Sequence, residues 1–412
     1  MITMRKLSQI LPLFITILLV AGGIWLALTR PPRPEPTPPA PLPVGPALAT
    51  LGTSPDWSRL QKFDGTLSAA SFGRDLREIY ALPEAWQPAI TFDPGGVTVK
   101  HHHGENAPTT HLSFAAQDSP AAPLPPLSEI HIALDPGHIG GEFAILEQRN
   151  FQPFSEDASQ IPVREGDLAL ATARHLKKLL EEMGATVTLV RETSEPVTDQ
   201  RPQDFLPAFP DRLLAEKIFY RTAEIRARAE LVNEVIQPDL VFCLHYNADA
   251  WNDPADPWAP RNHFHLLLNG AYMAGELVHD DERFEMLRHL FSRTARRALP
   301  LAQKISDVFL RELDLVPYNY SPAAPALPVD PVRPIYARNL LANRLYEAPT
   351  IFLEPYVMNH REVYHRVQLG DYEGFREING TPRRSLVREY AYTLAQGIAE
   401  FYRENPRTSP LP

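Results

Sequence analysis

The sequence predicts an α/β protein. Its main body is a twisted, largely parallel sheet flanked by helices, preceded by a small α+β unit and an N-terminal transmembrane anchor. Three observations predict this architecture. From residue 129 onward, short apolar strand patterns alternate with amphipathic helix patterns. Two proline-rich stretches set that region apart from what precedes it, and an uncharged apolar run stands near the amino terminus. The resulting division is an anchor at 1–30, a linker at 31–50, a small unit at 51–117, a second linker at 118–128, a large domain at 129–404 and a disordered tail at 405–412.

Taken in order, Arg5 and Lys6 precede "ILPLFITILLVAGGIWLAL", Ile10 to Leu28, which carries no charge. Nineteen residues at about 1.5 Å each nearly cross a hydrocarbon core of about 30 Å. The run exceeds the usual apolar region of a cleaved signal and no small-x-small site follows directly, so it reads as an uncleaved signal anchor; cleavage and secretion are the alternative. The large soluble body after it implies export of that body from the cytoplasm. "PPRPEPTPPAPLPVGP" then favours extended polyproline conformations and reads as a stiff spacer. In the small unit, Phe72, Leu76 and Tyr80 have helical spacing, and "AITFDPGGVTVK" reads as two strands turned at Asp93-Pro94-Gly95-Gly96. His101 to His103, with His111 nearby, read as a polar strand end in preference to a metal site.

In the large domain, "IHIALD" (130–135), "ATVTLV" (185–190), "DLVFCL" (239–244), "FHLLL" (264–268) and "TIFL" (350–353) read as strands. "DLALATARHLKKLLEEMG" is a helix stopped by Gly184, and "EIRARAELVNEVI" is a second helix. "PLAQKISDVFLREL" is a third, with Pro300 suited to its first turn. "SLVREYAYTLAQGIAEFY" closes the domain. Cys243, the one cysteine, lies inside an apolar strand and reads as a buried structural thiol. A formal charge of −10 argues against a nucleic-acid partner, which would be met by a basic field.

Three strands end alike. The first runs into "DPGH" and delivers His138, the "DLVFCL" strand ends at His245, and the last ends at Glu354. Open α/β sheets form their sites outside the carboxyl ends of strands, so parallel strands would turn all three groups into one crevice. Glu165, in "VREGDLAL" at the start of the first helix, adds a fourth. Two histidines and a glutamate with an open position suit hydrolytic zinc, and a further carboxylate suits proton transfer. Each group also has a plainer use, as a polar strand cap or as a complement to the helix dipole.

These residues also carry a resemblance. "IALDPGHIGG", "REGDLALATARHLKKLLEEMGATVTLVRET", "IRARAELVNEVIQPDLVFCLHYNADA" and "APTIFLEPYVMNHREV" resemble, in that order, the zinc-dependent N-acetylmuramoyl-L-alanine amidases of the Amidase_3 family over about 129–404. The resemblance implies a peptidoglycan hydrolase, which the expected anchor would hold at the membrane with its body outside the cytoplasm. It implies Zn2+ on His138, Glu165 and His245, with Glu354 as the catalytic carboxylate. Asn359 falls where the family often has an asparagine, and Arg228 matches an arginine on its helix. The chain departs from the pattern at Ile139, where a glycine is usual, at Tyr246 of "HYN", and at Pro355-Tyr356 after Glu354. Some members carry a helix that covers the zinc until a protein activator removes it, and Glu276 to Arg297 is the segment expected to act as such a lid, with a surface elaboration as the alternative. His263 and His265 share a strand face and read as a polar sheet face that permits substrate contact. Other readings of the whole are a non-catalytic peptidoglycan-binding or regulatory protein on the same fold, and a zinc peptidase acting on a different amide.

Overall fold

The computed structural model describes residues 52–405 except 103, 105, 120–123, 155, 252 and 254. The expected anchor at 1–30, the linker at 31–50, His103 and residues 406–412 of the expected tail lie outside the described residues. Among the described residues no helix is long and apolar enough to cross a membrane.

The small unit consists of helix α1 (Ala69–Asp75), continued by one wider turn to Tyr80, and the strands β1 (Ile90–Asp93), β2 (Gly96–Lys100) and β3 (Thr109–Ser113), paired antiparallel in that order. Asp93 makes the β1–β2 turn by accepting the Gly95 N–H at 2.7 Å. The buried face, with Leu60, Phe72, Leu76, Val97 and Leu112, joins the core of the large domain without a break. At the junction the Ala271 N–H donates to the Ile79 carbonyl at 2.8 Å. A side chain on Gly270 would lie 2.3 Å from that same oxygen, so only glycine fits there.

The large domain is built on an eight-stranded sheet. Its strands are β4 (His131–Pro136), β5 (Thr186–Leu189), β6 (Leu240–Leu244), β7 (His263–Leu268), β8 (Val316–Pro317), β9 (Leu327–Pro328), β10 (Ile335–Ala337) and β11 (Thr350–Pro355). The order is β9-β10-β7-β11-β6-β4-β5, with β8 beside β7. β5, β4, β6 and β11 are mutually parallel, but β7 pairs antiparallel with β11, and β8 and β10 follow β7. The sheet is therefore mixed: five of its seven pairings are parallel, in keeping with the expected largely parallel sheet, and the β7–β11 and β9–β10 pairings are antiparallel. All six β7 residues are buried, so its sequence lacks the alternation that would distinguish its direction.

Helices α2 (Glu165–Glu182) and α6 (Leu386–Glu404) lie together on one sheet face with α5 (Thr294–Glu312) beside them. Between β5 and β6 a helical run from Arg212 to Ile236 contains α3 (Glu224–Glu230), flanked by wider π-type turns. Pro300 lies in the interior of α5 and not in its first turn. Burial of Ala295, Ala298 and Leu299 draws the helix back to Thr294, and Pro300 faces solvent, where water can serve the carbonyl it leaves unpaired.

Helix α4 (Asp280–Ser292) corrects the lid expectation. Its Phe284, Met286, Leu287 and Leu290 are buried, and Phe284 and Phe291 pack against Trp57, Phe63 and Phe72 of the small unit. Glu276 to Arg297 is thus largely a core wedge, neither a lid nor a surface elaboration. Beside it, Asp118 accepts the Ser68 N–H at 2.9 Å, the Ser68 and Ser71 hydroxyls at 2.6 Å each and an Arg293 N–H at 3.1 Å. Burial pushes its carboxyl up, but these donors outweigh burial and hold it at about 2. A depressed carboxyl stabilises the fold above its unfolded pKa and loses that effect as pH falls through the folded one. We expect Asp118→Ala to cost about 1–3 kcal/mol at pH 6. The gap in urea midpoint from wild type should narrow as pH drops from about 4 towards 2; a gap independent of pH there would exclude this role for the charge.

Candidate metal centre

The site begins with a buried charge. Arg228, on α3, donates to Asp135 Oδ1 at 2.8 Å, Glu224 Oε1 at 2.7 Å, the Pro136 carbonyl at 2.7 Å and the His138 carbonyl at 2.8 Å. Tyr346 donates to the other Asp135 oxygen at 2.6 Å. These contacts fix the turn after β4, in which His138 adopts a left-handed φ of 57°. A β-carbon on Gly137 would meet the His245 ring at 2.3 Å, so glycine is what lets the two histidines approach.

His245 follows β6 directly, donating its backbone N–H to Leu353 at 3.0 Å and stacking its ring on Phe352. Glu165 opens α2, where a carboxylate also complements the helix dipole. Its Oε1 lies 3.0 Å from His245 Nδ1, and its Oε2 lies 3.4 Å from His138 Nε2. One donor atom from each of His138, Glu165 and His245 falls within 4.8 Å of the others, the one such group among the described residues. Burial raises the Glu165 carboxyl, but the adjoining His138 and His245 imidazoles, the latter through a hydrogen bond as well, and the Arg149 guanidinium bring it below its ordinary range. Glu354 is one strand away, beside His245 across the β6–β11 pairing. Burial lifts its carboxyl above the usual value; His245 pulls the other way and the Glu165 charge adds to the rise. All four groups border one cavity of about 490 Å³, and no residue of 276–297 borders it.

The donor set fits a zinc ion: two imidazoles and one carboxylate, with room for a further ligand. A positive group already rests against these donors. Arg149 Nε donates to His138 Nε2 at 3.3 Å and lies 3.2 Å from Glu165 Oε2. His138 Nε2 therefore presents a lone pair to the cavity and its ring proton is on Nδ1. That nitrogen lies 3.2 Å from Glu147 Oε2, which is itself fixed by the Ile139 N–H at 2.9 Å.

Glu147 and Arg149 escape the sequence reading. His265, Tyr320 and Arg338 also border the cavity unanticipated as a group, because they come from the reversed half of the sheet. Tyr246 borders the cavity, but its hydroxyl turns away to Thr172 at 2.7 Å. Tyr356 likewise turns its hydroxyl to Glu389. Ile139 is buried against Phe205 and Phe219, and Cys243 is buried and unpaired. The Asn359 side chain accepts from the Asp249 N–H and donates to the Pro257 carbonyl, tying two loop segments together. His101 stacks on Trp57, and His111 pairs with Thr98.

The profile of the Amidase_3 family, described as N-acetylmuramoyl-L-alanine amidase, matches residues 132–373. Among solved structures, the amidase AmiC2 of Nostoc punctiforme matches at 14% identity, covering 66% of this chain and 97% of its own, with a TM-score of 0.37. The CwlD amidase from Clostridioides difficile, solved in complex with the GerS lipoprotein, matches at 13%, covering 67% and 100%, with a TM-score of 0.40. The apo form of Ami1 from Mycobacterium abscessus matches at 16%, covering 66% and 98%, with a TM-score of 0.37. No curated protein matches this chain.

Removing Arg228 would strand Asp135 and Glu224 in the interior. We expect Arg228→Ala to cost about 3–5 kcal/mol in chemical unfolding. Arg228→Lys should recover only part, since one ammonium cannot reproduce the four contacts; a loss below about 1 kcal/mol on Arg228→Ala would show that the pair is dispensable.

Proposed function

This chain belongs to the N-acetylmuramoyl-L-alanine amidase family, and from that premise we propose that it cleaves the amide joining the lactyl group of N-acetylmuramic acid to L-alanine of the peptidoglycan stem peptide. One observation carries the proposal. Two imidazoles and a carboxylate that are remote in sequence converge within 4.8 Å, in a cavity that also holds Glu354. His138, Glu165 and His245 would hold zinc, which supplies Lewis acidity to the amide carbonyl and to water.

The chain's own residues do the rest. Glu354 is part-buried and keeps a raised affinity for protons, which suits a group that takes one and gives it back. It would accept a proton from the water that attacks the carbonyl carbon. As the carbon–nitrogen bond breaks, it would return that proton to the departing amine, leaving a lactyl carboxylate and a free alanine amino group. Glu147 would hold the Nδ1 proton of His138 and so keep Nε2 aimed into the cavity.

We extend the proposal to location. The apolar segment 10–28 would tether the domain outside the cytoplasmic membrane, within reach of the wall. Recovery of the protein in the carbonate-soluble fraction, shortened by its N-terminal segment, would favour the cleaved, secreted form.

Three variants separate the roles. Glu354→Gln should bind zinc as wild type does and lose at least about 10²-fold in release of L-alanine-terminated peptides from purified wall. His245→Ala should lose both zinc and activity. Glu147→Ala should weaken zinc binding about 10–100-fold in a chelator competition. Turnover retained by Glu354→Gln would remove the assigned role, and products with a different new terminus would point to another amide.

A further inference from the structure

The wall of the cavity beyond Glu354 holds a hydrogen-bond chain whose direction is fixed at both ends. His265 on β7 stands directly opposite Glu354 in the antiparallel ladder, and Glu354 stands beside His245. Three neighbouring strands thus present His265, Glu354 and His245 in one row to the same cavity. His265 is buried, touches Tyr320, and has a partner on each ring nitrogen.

The direction of the chain follows from its first member. The Ala248 N–H donates to Asn247 Oδ1 at 2.8 Å, which assigns the amide oxygen and leaves Nδ2 as the donor. Asn247 Nδ2 lies 3.3 Å from His265 Nδ1, so that nitrogen accepts. Burial, with His263 and Arg338 nearby, lowers His265 to about 3, so the ring is neutral and its single proton is on Nε2. Nε2 therefore donates to the Tyr320 hydroxyl at 3.0 Å. Arg338 Nη1, which can only donate, reaches the same oxygen at 3.1 Å. Both lone pairs of the Tyr320 oxygen are occupied, and among the described residues none accepts its proton. Burial lifts the phenol to about 12, Arg338 opposing and Glu354 adding to the rise, so it remains a donor at neutral pH.

Resting on the amide-hydrolysis reading above, we propose that Tyr320 is a catalytic residue whose O–H donates to the carbonyl oxygen of the scissile amide as negative charge gathers there. Asn247, His265 and Arg338 are the positioning residues that leave its proton no other direction. The proton is shared and not transferred: the carbonyl oxygen gains charge when water adds, and Tyr320 holds that charge until the carbon–nitrogen bond breaks. Donation by His265 and Arg338 into the phenol oxygen polarises its O–H and strengthens it as a donor. Preorganised donors of this kind act on charge that exists only in the transition state, so they raise kcat and leave ground-state binding unchanged.

The test uses the full chain, loaded with zinc, acting on a soluble N-acetylmuramoyl peptide. Tyr320→Phe should lower kcat about 10²–10³-fold with KM changed less than about threefold. Zinc stoichiometry and melting temperature should stay at wild-type values, and affinity for a phosphinate analogue of the tetrahedral state should fall in step with kcat. His265→Ala should lower kcat less and add nothing in the double variant with Tyr320→Phe. His265→Gln, which keeps an N–H near the place of Nε2, should restore most of the loss. Wild-type turnover with an unchanged kcat in Tyr320→Phe, or an effect confined to KM, would overturn this inference alone. Absence of amide cleavage by the wild type would overturn the amidase reading and this inference with it.

Discussion

A guanidinium sealed from solvent sets the geometry of the site. Arg228 is buried among Asp135, Glu224 and two backbone carbonyls, so its desolvation is met by charge and hydrogen bonds on several sides. One of those carbonyls belongs to His138, whose left-handed backbone is a conformation that a residue with a side chain adopts only under constraint. The constraint here is visible: the carbonyl cannot rotate away without leaving a buried N–H unsatisfied. On the proposed reading, metal affinity and fold stability are consequently coupled at one residue outside the candidate ligand set.

The second constraint is the reversal of the sheet between β11 and β7. On the parallel side, strand ends bring His138 and His245 to the cavity, and β11 brings Glu354. On the reversed side, the same edge is reached by the beginning of β7, so His265 arrives from the first half of its strand. The cavity is walled by two chemistries as a result. One wall offers lone pairs and negative charge, suited to a cation and to proton uptake. The other offers N–H and O–H donors, suited to a developing anion. An amide carbonyl bound between them would be polarised from both sides while Glu354 remains beside it.

This division also explains what the sequence could reveal. His138, Glu165, His245 and Glu354 are legible because each sits at a boundary that periodicity marks: an apolar run that stops, or a helix that starts. The rule that parallel sheets open at their carboxyl ends then gathers them. His265 breaks that rule, since nothing in "HFHLLL" states the direction of its neighbour. Tyr320 and Arg338 lie in loops flanking short strands, where no period exists to place them. Glu147 and Arg149 sit just after a single helical turn, too short to announce a face. The lid expectation failed for a related reason: the charges of α4 suggest exposure, yet its Arg283 and Arg288 are buried with the apolar residues beside them. Charge in a sequence reports where a helix could meet water, and an arginine can carry its charge inward when carbonyls and carboxylates wait there.

The small unit then acquires a mechanical reading. Its Ile79 and Tyr80 carbonyls accept the N–H groups of Ala271 and Tyr272, three and four residues beyond the end of β7. Its aromatic residues pack on α4, which leads directly into α5 behind the same strand. Both contacts fall on the reversed half of the sheet, the half whose neighbours are short strands of two or three residues. Strands that short contribute few ladder hydrogen bonds of their own, so β7 draws part of its support from outside the sheet. The donor wall of the cavity is therefore supported by the small unit, while the wall of candidate metal ligands is held by Arg228 and the parallel strands. Two separately supported walls meet at Glu354, and on the proposed mechanism its proton transfers depend on the distance between them.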